Sequence, residues 1–149
     1  MKYQSLENTK EFEVLDKLLS EQLDKDIISN LDYYLGIVRT KSRALASSLK
    51  RCFDNARNSM RYVLAYNLGK EDKKNSVLIS EEELKKYLET FLKDYFEKND
   101  FMHYREFVRL LRACTIDVGG ETSSHIKEMY NDFFFGKRLI KAYLFGYEN

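Results

Sequence analysis

The chain of 149 residues contains no proline and only 6 glycines. Proline breaks helix interiors, and β-rich proteins use proline and glycine freely in the tight turns between short strands. A chain with so few turn residues is suited to long helices joined by few connections. We therefore predict an all-α fold, a single-domain helical bundle over residues 1–149 with about five helices.

Apolar residues recurring at three- and four-residue steps place these helices. The segment Leu31–Leu68 reads as one long helix or two collinear ones, ended by Gly69 and followed by a polar loop. Ser80 and Glu83 form a capping box that starts a later helix. The predicted helices, in chain order, are Lys10–Ile28, Leu31–Leu68, one that begins after Ser80, Phe101–Cys114, and one from Thr122 or Ser123 almost to the end.

Two short segments of the sequence resemble each other. The segment Ala65–Asp72 reads AYNLGKED and Ala142–Asn149 reads AYLFGYEN, and each follows a segment that begins with two serines. The match fits either a duplicated helical hairpin or two helices that merely end alike. We favour the second interpretation because short matches are weak evidence of a repeat.

The formal net charge of +1 hides a strong segregation of charge. Residues 1–30 carry a net charge of −3, residues 31–70 carry +6, residues 71–100 carry −3 and residues 101–149 carry +1. An evenly spread charge of this size would argue against a nucleic-acid binder, whereas one strongly basic segment favours a partner with phosphates.

Within the basic segment the cations are regularly spaced. On one continuous helix, spacings of 4, 7, 7 and 4 residues give a single narrow stripe at ~100° per residue. Arginine holds phosphate bidentately, and such a row can follow a phosphate backbone without reading base sequence. We name this set the arginine stripe: Arg39, Arg43, Lys50, Arg57 and Arg61.

The arginine stripe also fits two roles that involve no nucleic acid. Charged helix faces are usually solvated, and the acidic segments on either side could neutralise the stripe inside the molecule. The stripe could also dock an acidic protein. The sequence leaves both roles open.

The aromatic run Phe133, Phe134 and Phe135 places neighbouring rings on different faces of its helix. A helix that is apolar on several faces is typical of a subunit interface. Core packing explains some of these rings. For the others we predict, with Tyr143, contacts to other protein subunits or to a second copy of the chain. The corresponding alternative function is a helical protein-interaction module, such as an inhibitor, immunity or adaptor protein, with no role in nucleic-acid binding.

No motif predicts an enzyme or a cofactor. The pairs His103/Glu106 and His125/Glu128 have the reverse order of the Glu-x-x-His element found in di-metal bundles, and no second set of inward glutamates is evident. A calcium loop ending at Glu106 would begin with Tyr95, which cannot supply a carboxylate. We therefore predict a non-enzymatic protein with no metal.

Three segments are similar to elements of the small all-helical subunit of type III, Csm-type, CRISPR effector complexes. They are Ser47–Arg51 (SSLKR), Met60–Lys70 (MRYVLAYNLGK) and Leu139–Tyr147 (LIKAYLFGY). The resemblance implies a non-catalytic filament subunit of an antiviral defence complex that contacts the guide–target RNA backbone. It places four basic residues in the matching elements: Lys50, Arg51, Arg61 and Lys70.

The remaining composition bears on the compartment. Two cysteines, Cys52 and Cys114, cannot build a disulfide framework, which favours a reducing compartment. No apolar run reaches the ~20 residues of a membrane span, and the first residues lack the apolar stretch of a secretory signal. We expect a cytoplasmic protein with no membrane partner.

Overall fold

The computed structural model describes residues 10–19, 25–57, 61–95 and 101–148, and every regular element within those ranges is an α-helix. The all-α prediction is therefore confirmed. The described ranges contain eight helices, so the predicted number of about five is too low. They are α1 Lys10–Leu19, α2 Lys25–Lys41, α3 Arg43–Arg57, α4 Arg61–Lys74, α5 Glu81–Tyr95, α6 Phe101–Val118, α7 Gly120–Phe135 and α8 Lys137–Glu148.

Four of these helices form a bundle in which α2 packs on α3, α3 on α6, α6 on α7, and α7 on α2. Its centre is aromatic. The Phe107 ring stacks on Tyr130 with 3.7 Å between centroids, and the Phe53 ring meets Tyr130 edge-on at 5.3 Å. Beside the bundle α4 and α8 pack closely against each other, and both contact α1 and α5.

The prediction of one long helix, or two collinear ones, over Leu31–Leu68 is wrong. The chain breaks at Ser42, whose hydroxyl accepts a hydrogen bond from the backbone N–H of Leu45 at 3.1 Å and so caps the start of α3. A further helix, α4, begins at Arg61, and residues 58–60 lie outside the described ranges. The basic segment therefore belongs to three helices and not to one.

Gly69 does not end a helix, because α4 continues to Lys74. A Cβ atom at Gly69 would collide with the backbone carbonyl oxygen of Tyr143, and one at Gly146 would collide with the carbonyl oxygen of Tyr66. Both glycines are thus required by the close approach of the α4 and α8 backbones, which no residue with a side chain would permit.

The other predicted boundaries are partly right. As predicted, α5 begins directly after Ser80 and α6 begins at Phe101. However, α2 passes through residues 29 and 30, where the prediction separated the first two helices. The final predicted helix is divided at Gly136 into α7 and α8.

The two halves of the chain match helix by helix at a displacement of 77 residues. This displacement places α2 on α6, α3 on α7 and α4 on α8, and it places the break at Ser42 on the break at Gly119. Each glycine of the α4–α8 crossing packs on the tyrosine of the other copy, as an approximate two-fold axis requires. These matches favour a duplicated helical unit over two helices that merely end alike. The residues repeated around the crossing are Arg61/Arg138, Ala65/Ala142, Tyr66/Tyr143 and Gly69/Gly146.

A buried carboxylate joins α4, α5 and α8. One oxygen of Asp72, Oδ2, accepts hydrogen bonds from the hydroxyl of Tyr87 at 2.6 Å and from that of Tyr143 at 2.7 Å. Burial and the hydrogen bond to Asp72 raise the pKa of Tyr87 to about 12, and the same causes raise the pKa of Tyr143. The folded state therefore holds both hydroxyls protonated beyond the pH at which an unfolded tyrosine ionises, ~10.

This arrangement predicts a loss of stability at alkaline pH. Because the pKa of both tyrosines is higher in the folded state, their contribution is complete below about pH 10 and disappears as the pH rises towards about 12. We expect the melting temperature, followed by circular dichroism, to fall steeply across this window. The double variant Tyr87→Phe/Tyr143→Phe should be less stable at pH 8 but show a flatter decline. If the melting temperatures of the unmodified protein and the double variant fall equally with pH, the two tyrosines do not cause the alkaline loss of stability.

Candidate nucleic-acid interface

The seven basic residues predicted to bind nucleic acid fall into three groups in the structure. Lys70 is exposed on α4, with its ammonium 4.8 Å from the centre of the Tyr66 ring. Two others, Arg57 and Arg61, are engaged inside the molecule. Four lie exposed on the last turn of α2 and along α3: Arg39, Arg43, Lys50 and Arg51.

The structure corrects the arginine stripe at Arg57 and Arg61. The Arg57 guanidinium lies 3.1 Å from the Asp16 carboxylate and is one third exposed. Arg61 has no exposed surface; its Nη2 donates to the carbonyl of Ala56 at 3.0 Å, and its guanidinium lies 3.6 Å from the centre of the Phe134 ring. Arg61 therefore lies in the core and not on the exposed face of α3.

The predicted aromatic subunit interface is also corrected. Phe133, Phe134 and Tyr143 are at most 3% exposed and belong to the hydrophobic core. The side chain of Phe135 lies outside the described part of the structure. The helix is apolar on several faces because it packs on several neighbours of the same chain, among them α3, α6 and α8. The protein-interaction alternative thereby loses one of the observations on which it rested.

A second row of cations, which the sequence reasoning missed, lies on α6. Arg105, Arg109 and Arg112 are exposed, and their spacings of 4 and 3 residues place them on one helix face. Arg109 also makes a long, exposed contact of 3.8 Å with Glu106, which is worth little in water. The charge count by segment did not reveal this row of cations, because residues 101–149 carry a net charge of only +1.

The α6 cations lie beside those of α3. Burial, with a smaller contribution from Glu106, raises the pKa of the Cys52 thiol to about 11, and the positive charges of Arg51 and Arg109 both act against this rise. Arg51 of α3 and Arg109 of α6 therefore lie within electrostatic reach of the same thiol, where the two helices pack. We name five of the exposed cations of these two helices the α3–α6 basic surface: Lys50, Arg51, Arg105, Arg109 and Arg112.

The equivalent positions in the other half of the fold carry the opposite charge. At the displacement of 77 residues, Arg51 corresponds to Glu128 on α7, and Arg109 corresponds to Asp32 on α2. Both acidic side chains are exposed. Arg51 and Arg109 thus have the opposite sign of charge from the residues at the equivalent positions of the other half.

The histidines and cysteines do not form a reactive cluster in the described residues. No group of three or more histidine, cysteine or acidic side chains lies close enough there to hold a metal ion. The His125 ring packs on Tyr34 with 4.9 Å between centroids. Cys52 and Cys114 are both buried, and burial raises the pKa of each thiol, which disfavours the thiolate that a nucleophile needs.

Comparisons with known proteins give no match: no family model matches this chain, and no curated protein or solved structure matches it significantly. Within the described ranges, no helix is both long and apolar enough to cross a bilayer.

Proposed function

We propose that this protein is a non-catalytic helical subunit that binds the phosphate backbone of single-stranded nucleic acid, RNA in the first place, through the α3–α6 basic surface. The observation that carries the proposal is the packing of α3 on α6, which brings Arg51 and Arg109 within electrostatic reach of the same thiol. Among the described residues, neither arginine is neutralised by a part-buried carboxylate in the way that Arg57 is by Asp16.

The chemistry of the surface sets the expected mode of binding. Five exposed cations on two adjacent helices can contact successive phosphates, and arginine does so bidentately. Contacts of this kind give affinity without sequence readout, and they release counterions. With five phosphates neutralised on a single strand, affinity should fall about a hundredfold between 50 and 200 mM salt.

The resemblance to the Csm-type small subunit supports the same function. Among the basic residues in the matching elements, Lys50, Arg51 and Lys70 are exposed, whereas Arg61 is buried. If the resemblance reflects a common role, the bound backbone belongs to one strand of a guide–target RNA and the protein works inside a larger cytoplasmic assembly. Arg61 would then serve the core and not the RNA.

The proposal predicts the effect of reversing two charges. The double variant Arg51→Glu/Arg109→Glu should bind a fluorescently labelled single-stranded RNA at least about thirtyfold more weakly, because two phosphate contacts become repulsions. Fluorescence anisotropy at low salt measures this. A matched control is Lys85→Glu/Lys86→Glu, which makes the same change of charge on exposed residues of α5, a helix that packs on α4 and α8.

The two variants carry the same net charge, so a general electrostatic effect would lower the RNA affinity of both variants equally. Equal weakening, or an unchanged affinity of the Arg51→Glu/Arg109→Glu variant, would contradict the proposed surface. Absence of RNA and DNA binding by the unmodified protein at low salt would contradict the function itself.

A further inference from the structure

A cavity of about 280 Å³ opens between α2, α3 and α7, and α3 also carries part of the basic surface. Its deepest lining residues are apolar and belong to the core: Leu35, Phe53 and Phe133 are at most 3% exposed. The volume lies just below the ~300–1,000 Å³ of pockets that bury drug-sized ligands. A cavity of this size and lining suits a single flat ring system.

The rim of the cavity is polar and carries both signs of charge. Asp32 and Asp54 supply carboxylates that accept hydrogen bonds, and Lys50 and Arg57 supply donors. Arg57 is held in place by its ion pair with Asp16 at 3.1 Å. Such a rim can pair with the edge of a heterocycle that presents donors and acceptors side by side.

Lys50 connects this cavity with the α3–α6 basic surface, since it belongs to both. Lys50 and Arg51 are consecutive on α3, so their side chains leave the helix ~100° apart. Lys50 lines the cavity on the α2 side, while Arg51 lies near Cys52 and Arg109 on the α6 side. A strand whose phosphates lie on Arg51 therefore has a neighbouring base within reach of the cavity.

We propose that the cavity receives one nucleobase of the bound single strand and that its two carboxylates select a base with an amino group, cytosine or adenine, over uracil. The inference rests on the function proposed above. The amino group of cytosine donates to a carboxylate, whereas uracil presents an acceptor oxygen at the same position. Only a single strand can turn a base out of its stack to enter such a cavity.

The other half of the fold does not repeat this site. At the displacement of 77 residues, Asp32 corresponds to Arg109 and Asp54 corresponds to Asn131, so the pair of carboxylates exists once. Among the deepest lining residues, Phe53 corresponds to Tyr130, whose ring is already stacked on Phe107. The selective site is thus a property of one half only.

The test compares oligo(rC) with oligo(rU), each of about 12 nucleotides. The two bases differ mainly at the edge where cytosine carries an amino group and uracil a carbonyl oxygen. We expect the unmodified protein to bind oligo(rC) about tenfold more tightly at a fixed salt concentration. In the variant Asp32→Asn/Asp54→Asn the preference should vanish, since an amide offers a donor to uracil as readily as an acceptor to cytosine. Both substituted side chains are exposed, so the fold should be retained.

A matched control separates base selection from charge. Asp117→Asn/Glu121→Gln removes the same two charges from exposed positions near the α6–α7 junction, and it should strengthen binding of both oligonucleotides while keeping the preference. Equal affinities of the unmodified protein for the two, or a preference that persists in Asp32→Asn/Asp54→Asn, would overturn the inference and leave the proposed function standing. Failure to bind either oligonucleotide at low salt would overturn both.

Discussion

Replacing Gly146 with alanine should lower the free energy of unfolding by more than about 3 kcal/mol, which is a large part of the stability of a typical domain. The added methyl group would occupy the place of the Tyr66 carbonyl oxygen. A flexible side chain can rotate away from such a collision, but a backbone carbonyl can move only with its helix. The α4–α8 packing would therefore have to open, and with it the hydrogen bonds that Asp72 makes between these helices and α5.

The chain provides a matched control for this prediction. Gly36 lies inside α2, and a Cβ atom there would meet nothing within 4 Å. Gly36→Ala should stabilise the protein by about 0.5–1 kcal/mol, because alanine favours the helix more than glycine does. Urea unfolding followed by circular dichroism measures both variants. A loss of less than about 1 kcal/mol for Gly146→Ala would show that the two helices do not approach as closely as described.

Gly69, like Gly146, lies at the α4–α8 crossing, and this explains why the sequence alone misassigned it as a helix end. A glycine next to polar residues is typical of a helix end, and a glycine on an apolar helix face is typical of a close crossing. Gly69 satisfies both descriptions, since it precedes Lys70 and also faces Tyr143. Only the partner helix, 77 residues further along the chain, distinguishes them. The repeated AYxxG pattern was the available signal, and it becomes decisive once the two copies are seen to pack on each other.

The candidate site, too, could be predicted only in part from local sequence patterns. The helix class followed from the missing prolines and from apolar periodicity, because both act within a few turns. The arginine stripe failed at Arg61 because it assumed one continuous axis, whereas Ser42 caps a new helix and Arg61 begins another. It failed at Arg57 because the sequence does not show that α1 brings Asp16 to that guanidinium. Periodicity gives the angle of a residue about its own helix and says nothing of the angle between helices. The partnership of Arg51 with Arg109 depends on that second angle and could not be predicted.

Replacing Asp16 with alanine is the second change for which we expect a large loss of stability. Its two oxygens bind two arginines of different helices, Arg138 of α8 at 2.9 Å and Arg57 of α3 at 3.1 Å. Arg138 is only 2% exposed, whereas the Asp16 side chain retains 28% exposure. Removing the carboxylate leaves the charge of Arg138 inside the protein without the anion that compensates it, and the cost of breaking such a buried pair is about 3–5 kcal/mol. Because Asp16 is partly solvated, we expect Asp16→Ala to cost about 3 kcal/mol, near the lower end.

A double-mutant cycle tests whether this cost arises at Arg138. In an Arg138→Met background the buried charge is gone, and Asp16→Ala then breaks only the part-exposed pair with Arg57, which should cost about 1 kcal/mol or less. Glu13→Ala removes an exposed carboxylate from the same helix and should change the stability by no more than about 0.5 kcal/mol. If Asp16→Ala costs the same in both backgrounds, the ion pair with Arg138 does not hold α1 to α8.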